Sequence, residues 1–363
     1  MQSLALHAFH QDQGAHFVEL NGGEAVSDYG DALAEHAALC QSAGLFDLSF
    51  RSRLCITGAD RVRFLHGQVT NDVKRLQTGS GCYAALITAK GKMQSDLNLY
   101  SLADELLLDF ESGLTQTISD RLEKYIIADD VQVVDVSALF GLLSIQGPKA
   151  SEALQTLGLF PNLPSRPFAF VNVQAPDLGE LYLMNAPRLN SQGFDLFAPV
   201  SALQAIVEKL LAGLASLGGH LGGWQAFELA RIEAGIPRFG ADMDETNIPL
   251  EAGLEQRAVS FNKGCYIGQE VISRIHTFGQ VAKALRGLRL ADNLKNLPSK
   301  GAKLFHDTKE VGYITSAAHS PRLHANIALG YVRKEVNQIG TELRLALDDG
   351  DSFAKIVQTP FTV

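Results

Sequence analysis

Apolar residues along this chain switch between two periods, and the switches mark out its elements. Residues 31–42 repeat at helical spacing, with Leu33, Ala37 and Cys40 on one stripe. Leu54-Cys55-Ile56-Thr57 then reads as a short strand, Gly58 as a turn, and 59–66 as a helix burying Val62 and Leu65. Runs at 82–88 and 92–101 predict a hairpin around Ala89-Lys90-Gly91, with 105–110 as a third strand. Leu114, Ile118 and Leu122 stripe another helix, and 131–136 is a further strand. Strand, helix, strands, helix, strand predicts an α+β layer with its helices on one face.

The opening junction returns at 143–148, where Ile145, Gly147 and Leu154 stand as Ile56, Gly58 and Leu65 stood. Pro148 suits a helix first turn. Strands are predicted at 168–173, 181–185 and 194–198, then a helix carrying Leu203, Ile206, Val207, Leu210 and Leu214. This reads as a weak internal repeat. From 284 onward come short β runs at 285–290, 311–316, 328–332, 342–347 and 354–358, separated by Gly, Asp, Asn and Pro, which predict a small barrel or sandwich. The expected organisation is an α/β subdomain over 1–137, a second over 138–240, a connecting segment over 241–283 and a β-barrel over 284–363.

Composition narrows the function classes. A chain of 363 residues that is 46% hydrophobic has the balance of a soluble globular protein of two or three domains. Its formal charge of -9 opposes direct nucleic-acid binding, which needs many Lys and Arg to neutralise phosphates. Cys40, Cys55, Cys82 and Cys265 are scattered, with no CxxC and no Cys/His cluster at zinc-ligand spacing, so no disulfide framework and no metal site are assigned. A reducing cytoplasm fits that usage. The N-terminus lacks a basic start followed by an apolar core, and no later apolar run reads as long enough to cross a bilayer, so neither export nor membrane insertion is expected.

The densest chemistry lies in Lys263-Gly264-Cys265-Tyr266-Ile267-Gly268-Gln269-Glu270, which crowds a cation, a thiol and two glycines into one turn. Gly264 and Gly268 permit tight bends that present Cys265. Lys263 would favour the thiolate if the side chains meet. Cys265 and Lys263 are therefore the candidate functional pair. His276 stands eleven positions beyond Cys265, so a Cys-His nucleophile is unsupported. One thiol also falls short of the four ligands an iron-sulfur cluster needs.

That run resembles the signature of the YgfZ-type folate-binding proteins, relatives of the glycine-cleavage T-protein. Phe64-Leu65-His66-Gly67-Gln68-Val69-Thr70-Asn71-Asp72-Val73 resembles the same group's N-terminal signature, and Arg231-Ile232-Glu233-Ala234-Gly235-Ile236-Pro237 its central one. The resemblance implies two α/β subdomains and a terminal β-barrel around a central opening that holds folate. It also implies tetrahydrofolate or a one-carbon derivative as cofactor, with iron-sulfur client enzymes or assembly proteins as partners. The implied role is an accessory in assembly or repair of those enzymes, touching tRNA modification only indirectly.

Site residues follow by analogy. Asp195 stands where the T-protein family places a pterin-binding Glu, and a carboxylate accepts the pterin N–H groups in charge-assisted bonds; alternation with Phe194 and Leu196 also allows a solvated strand face. Gln68, Thr70 and Asn71 could line the ligand or cap the helix before them. Arg121, Lys124 and Tyr125 share a helical face that could meet an anionic tail, with Arg121 expected to be solvated. Arg231 is the better fork for a ligand carboxylate, against an ion pair with Glu233 or Glu228. Asp96 is a candidate folate contact, and its alternation with Met93, Ser95 and Leu97 also allows a plain strand position. The enzymes' Asp-Asp pair reads Ser95-Asp96 here, which points away from a T-protein-type aminomethyltransferase; a folate-dependent aminomethyl or one-carbon transferase is the alternative reading.

Overall fold

The computed structural model describes residues 2–348 and 350–362. A lead-in comprises helix α1 (His7–Asp12), hairpin β1 (His16–Leu20) and β2 (Gly23–Asp28), helix α2 (Ala32–Gln41) and strand β3 (Gly44–Asp47). The first repeat runs β4 (Ser52–Thr57), α3 (Arg61–Gln68), β5 (Ser80–Ile87), β6 (Met93–Ser101), β7 (Leu106–Phe110), α4 (Thr115–Glu123) and β8 (Gln132–Asp135). The second runs β9 (Phe140–Gln146), α5 (Ala150–Gln155), β10 (Phe170–Ala175), β11 (Gly179–Asn185), β12 (Gly193–Pro199), α6 (Leu203–Leu217) and β13 (His220–Leu221).

Strand order makes the repeat explicit. One sheet is β5-β6-β7-β4-β8 and the other β10-β11-β12-β9-β3-β13. In each, a three-stranded meander returns beside the strand that began the repeat. The two junction glycines adopt left-handed angles, Gly58 at φ 97° and Gly147 at φ 126°. A Cβ would lie 2.1 Å from the Asp130 carbonyl oxygen at the first and 2.6 Å from that of Ser42 at the second, so both positions need glycine.

Two compact units divide the chain: Met1–Ala84 with Asp96–Glu228, and Ala85–Ser95 with Leu229–Val363. The boundary read near 137 therefore falls inside one unit. The reason is β3, which leaves the N-terminal stretch to pair with β9, Leu45 opposite Ile145. Around it Leu143, Leu183 and Leu196 of the second sheet pack on Leu154 of α5 and on Leu203, Ile206, Leu210 and Leu214 of α6.

Two expectations need correction in this unit. The stripe of α2 is not Leu33, which is 55% exposed; the inward face is Glu35, His36 and Leu39. Glu35 turns in because its carboxylate accepts backbone N–H groups of Tyr29 at 2.6 Å and Gly223 at 2.8 Å, bonds that offset its burial. Second, Val200–Leu217 is long and apolar enough by composition to cross a membrane, contrary to the sequence reading, yet its apolar face is the core just described.

The second unit holds the end of α7 (Trp224–Glu233), then α8 (Glu255–Ala258), α9 (Gln269–Phe278) and six strands: β14 (Lys283–Leu290), β15 (Lys303–His306), β16 (Lys309–Ser320), β17 (Ala325–Arg333), β18 (Glu342–Leu347) and β19 (Gly350–Val357). These strands close into a barrel in the order β14-β17-β16-β15-β18-β19, filled by Leu288, Ile314, Val332, Leu345 and Ile356. The α+β class with a terminal barrel is as expected; β15, four residues long and half polar, had no readable alternation.

Candidate functional site

Alternation along β6 sends Leu97 and Leu99 into the core and leaves Asp96 and Asn98 half-buried on the other face. Asp96 Oδ2 accepts the hydroxyl of Tyr83, on β5, at 2.6 Å. Tyr83 is itself held, because Asn71 Nδ2 donates to its carbonyl at 2.8 Å. Burial raises the Asp96 pKa and the nearby Glu111 charge raises it further, with Tyr83 and Arg51 pulling back.

Beside Asp96 runs a buried ionic chain. Arg51, just before β4, donates Nε to Asp109 at 2.8 Å and Nη1 to Glu111 at 2.6 Å. Arg188, between β11 and β12, donates Nη2 to Asp109 at 2.6 Å and Nε to both Asp195 oxygens at 3.1 and 2.9 Å. Asn98 adds a bond to Asp109 at 3.0 Å, and Ser144 donates to Asp195 at 2.8 Å. The chain thereby couples β6 and β7 of one sheet to β9 and β12 of the other.

Charge balance explains the pKa directions. Burial works against ionised Asp109, but Arg51 and Arg188 outweigh it and hold the carboxyl well below the usual range. Two guanidiniums then face three carboxyls, Asp109, Glu111 and Asp195. The excess falls on Asp195, whose pKa burial raises despite Arg188.

The structure corrects several site expectations here. Asp195 lies on neither a solvated nor an open face: it is fully buried, both oxygens held by Arg188 and Ser144, so it anchors Arg188. Thr70 is also fully buried. Gln68 is buried and its Oε1 accepts Arg121 Nη1 at 2.8 Å, while Arg121 stacks 4.2 Å above the ring of half-exposed Tyr125. Arg121 is therefore not solvated, and burial lowers its pKa. Of the predicted residues, Asn71 and Asp96 meet through Tyr83. Arg51, Tyr83, Asn98, Asp109 and Arg188 were missed; a usable signal was Asp109 inside the apolar run Leu106-Leu107-Leu108-Asp109-Phe110, since a carboxylate there must find a cation.

The other predicted residues belong to the second unit. Cys265 is exposed, whereas Lys263 is buried with its ammonium 4.8 Å over the Tyr266 ring. Burial pushes the Tyr266 phenol up to about 12. Gly268 takes φ 82° and starts α9. Arg231, expected to meet a ligand carboxylate or Glu233 or Glu228, is buried with its guanidinium on Asp242 and donates to Ser316 at 2.8 Å. A register shift in β16 between Ile314 and Ser316 turns two successive hydroxyls to that same aspartate, Thr315 at 2.5 Å and Ser316 at 2.7 Å.

Comparison with known proteins gives the context for this geometry. The GCVT N-terminal domain matches residues 6–263 and the glycine cleavage T-protein C-terminal barrel domain residues 283–362. The chain is 31% identical over 350 residues to an aminomethyltransferase of Geobacillus thermodenitrificans, covering 96% of this chain and 94% of that one. It is 30% identical over 364 residues to one of Desulforamulus reducens, covering 99% and 98%. The crystal structure of glycine cleavage system aminomethyltransferase T from Bartonella henselae superposes with a TM-score of 0.89 at 25% identity, covering 99% of this chain and 98% of that one.

These full-length similarities overturn the reading of an iron-sulfur accessory protein with a link to tRNA modification, and with it the inference against a T-protein-type enzyme. The inference failed for a structural reason. Ser95 is fully buried, on the side of β6 that faces away from Asp96, so the missing first Asp of the pair removes no carboxylate from the Asp96 face. With both of its regions matched in order, the chain belongs to the glycine cleavage T-protein family.

Proposed function

We propose that this chain is a tetrahydrofolate-dependent aminomethyltransferase in which Asp96 is the carboxyl that handles the proton at the reacting folate nitrogen. The observation that carries the reading is Asp96 itself: half-buried, oriented by the Tyr83 hydroxyl at 2.6 Å, with its pKa raised by burial and by Glu111. A carboxyl drawn toward neutrality takes and returns a proton at working pH better than an ordinary one. Asp96 and Asn98 together offer acceptors suited to the N–H edge of a pterin, the charged one binding more strongly. Tetrahydrofolate, when bound, supplies the nitrogen that receives the one-carbon unit.

The buried chain from Glu111 to Asp195 supports the site indirectly, by fixing Arg51 and Asn98 on either side of Asp109. Similarity to aminomethyltransferases over nearly the whole chain supports the reaction class. Within the family, the run at 263–270 keeps its resemblance to the YgfZ type in sequence, without that type's function being carried over. The described cysteines form no disulfide, which suits a cytoplasmic setting.

The test is tetrahydrofolate-dependent release of ammonia from an aminomethyl donor. Asp96→Asn should lower kcat by about a hundredfold or more while leaving the fold intact. Wild-type protein inert toward every aminomethyl donor tried would defeat the reading.

A further inference from the structure

We propose that a cleft at the C-terminal end of α9 binds a small oxyanion, the phosphate or carboxylate end of a soluble metabolite, between Arg286 and Lys334. The cleft encloses about 370 Å³ and lies wholly within the second unit, with Glu255, His276, Gln280, Arg286, Lys334 and Asn337 as its polar lining. None of these residues takes part in the proposed transfer.

Arg286 carries the argument. Its Nε donates to the Asn337 carbonyl at 3.0 Å and its Nη1 to the Leu285 carbonyl at 3.1 Å. Those bonds use two of five N–H groups and aim the guanidinium without neutralising it. Among the described residues no carboxylate pairs with it, and burial alone lowers its pKa. Arg51, Arg188 and Arg231 each face an aspartate, whereas the fully buried Arg53 is held through the carbonyls of Ser49, Arg51 and Ser137. A half-buried guanidinium with unused donors and no paired carboxylate is suited to an entering anion, which accepts from it in charge-assisted bonds.

The rest of the lining leaves the positive charge uncancelled. Glu255 is its one carboxylate, and it lies 3.4 Å from His276 Nδ1. The His276 ring is in turn fixed by stacking on Phe261, with centroids 3.7 Å apart. At the end of α9, the Ile275 carbonyl is taken by the Gly279 N–H at 3.1 Å. Lys334 is exposed and adds a second cation at the rim. Arg286, on β14, and Lys334, after β17, line the cleft from different elements, as an oxyanion with several acceptor oxygens requires.

The full chain should be titrated calorimetrically at low ionic strength with inorganic phosphate and, separately, with succinate. Saturable binding of one is expected, and which one distinguishes the two sources of the oxyanion. Lys334→Glu, on an exposed side chain, should weaken that binding about tenfold, and Arg286→Gln by at least as much. Should Arg286→Gln fail to fold, Lys334→Glu decides alone. Absence of saturation by either anion up to about 10 mM, or unchanged affinity in Lys334→Glu, would overturn the proposal. The readout is binding rather than turnover, so its failure leaves the transferase reading untouched.

Discussion

The Tyr83 hydroxyl reaches from β5 to Asp96 Oδ2 on β6 at 2.6 Å, and it works against the two influences that raise that carboxyl, burial and the charge of Glu111. Removing the hydroxyl lets the Asp96 pKa climb; removing the Glu111 charge lets it fall. If ionised Asp96 takes up the proton, the acid limb of kcat/KM against pH moves to higher pH in Tyr83→Phe and to lower pH in Glu111→Gln. Limbs that stay fixed in both variants, or move together, would show that Asp96 does not set that ionisation.

Asp109 holds two guanidiniums at once, so its loss should be felt as stability. Asp109→Asn leaves Arg51 and Arg188 buried with a neutral amide between them, and the expected cost is about 3–5 kcal/mol in urea unfolding. The pH dependence follows from the depressed folded pKa. Its stabilisation is complete above the unfolded carboxylate value of about 4 and is lost as pH falls through the folded value. Wild-type urea midpoints should therefore drop on acidification below about pH 4, with a shallower slope in Asp109→Asn. Equal slopes would locate the acid sensitivity elsewhere.

Local periodicity makes most of this fold readable from the sequence. The strand–glycine–helix junctions at Gly58 and Gly147 stood out because each needs a backbone that only glycine supplies, and the barrel strands because they alternate between short turns. What could not be read was pairing at a distance. Nothing near Leu45 says that β3 will join the second sheet, and nothing near Arg188 says that it will reach Asp109, 79 positions earlier. The site was half-legible for the same reason. Asp96 sits in a recognisable strand, while Arg51, Glu111 and Tyr83, which tune it, come from elsewhere in the chain. Asp195 misled because alternation with Phe194 and Leu196 looked like an open face, yet a second layer covers both sides of β12.

The four thiols differ in access, and alkylation of the native protein should rank them. Cys265 and Cys40 are exposed, Cys82 is half-buried, and Cys55 is buried with its pKa pushed far up by desolvation and by Glu105. The thiolate is the reacting form, so burial and a raised pKa slow Cys55 together. Mass spectrometry after iodoacetamide treatment should find Cys265 and Cys40 modified first and Cys55 only once the protein unfolds. Early labelling of Cys55 would mean that the first sheet opens locally under native conditions.

Arg231 separates a structural from a ligand-binding role within the second unit. Its guanidinium is buried beside Asp242, which also receives Thr315, Ser316 and the Arg238 N–H. Arg231→Gln strips that aspartate of its cation, and a broken buried pair costs about 3–5 kcal/mol. Asp242→Asn should cost a similar amount. The double variant should cost clearly less than the sum, because each single change already forfeits the shared interaction. Tetrahydrofolate affinity of the folded fraction should stay within about threefold of wild type, well under the 1.4 kcal/mol that a tenfold change represents. Stability near wild type with folate binding lost would reverse the assignment and return Arg231 to the ligand.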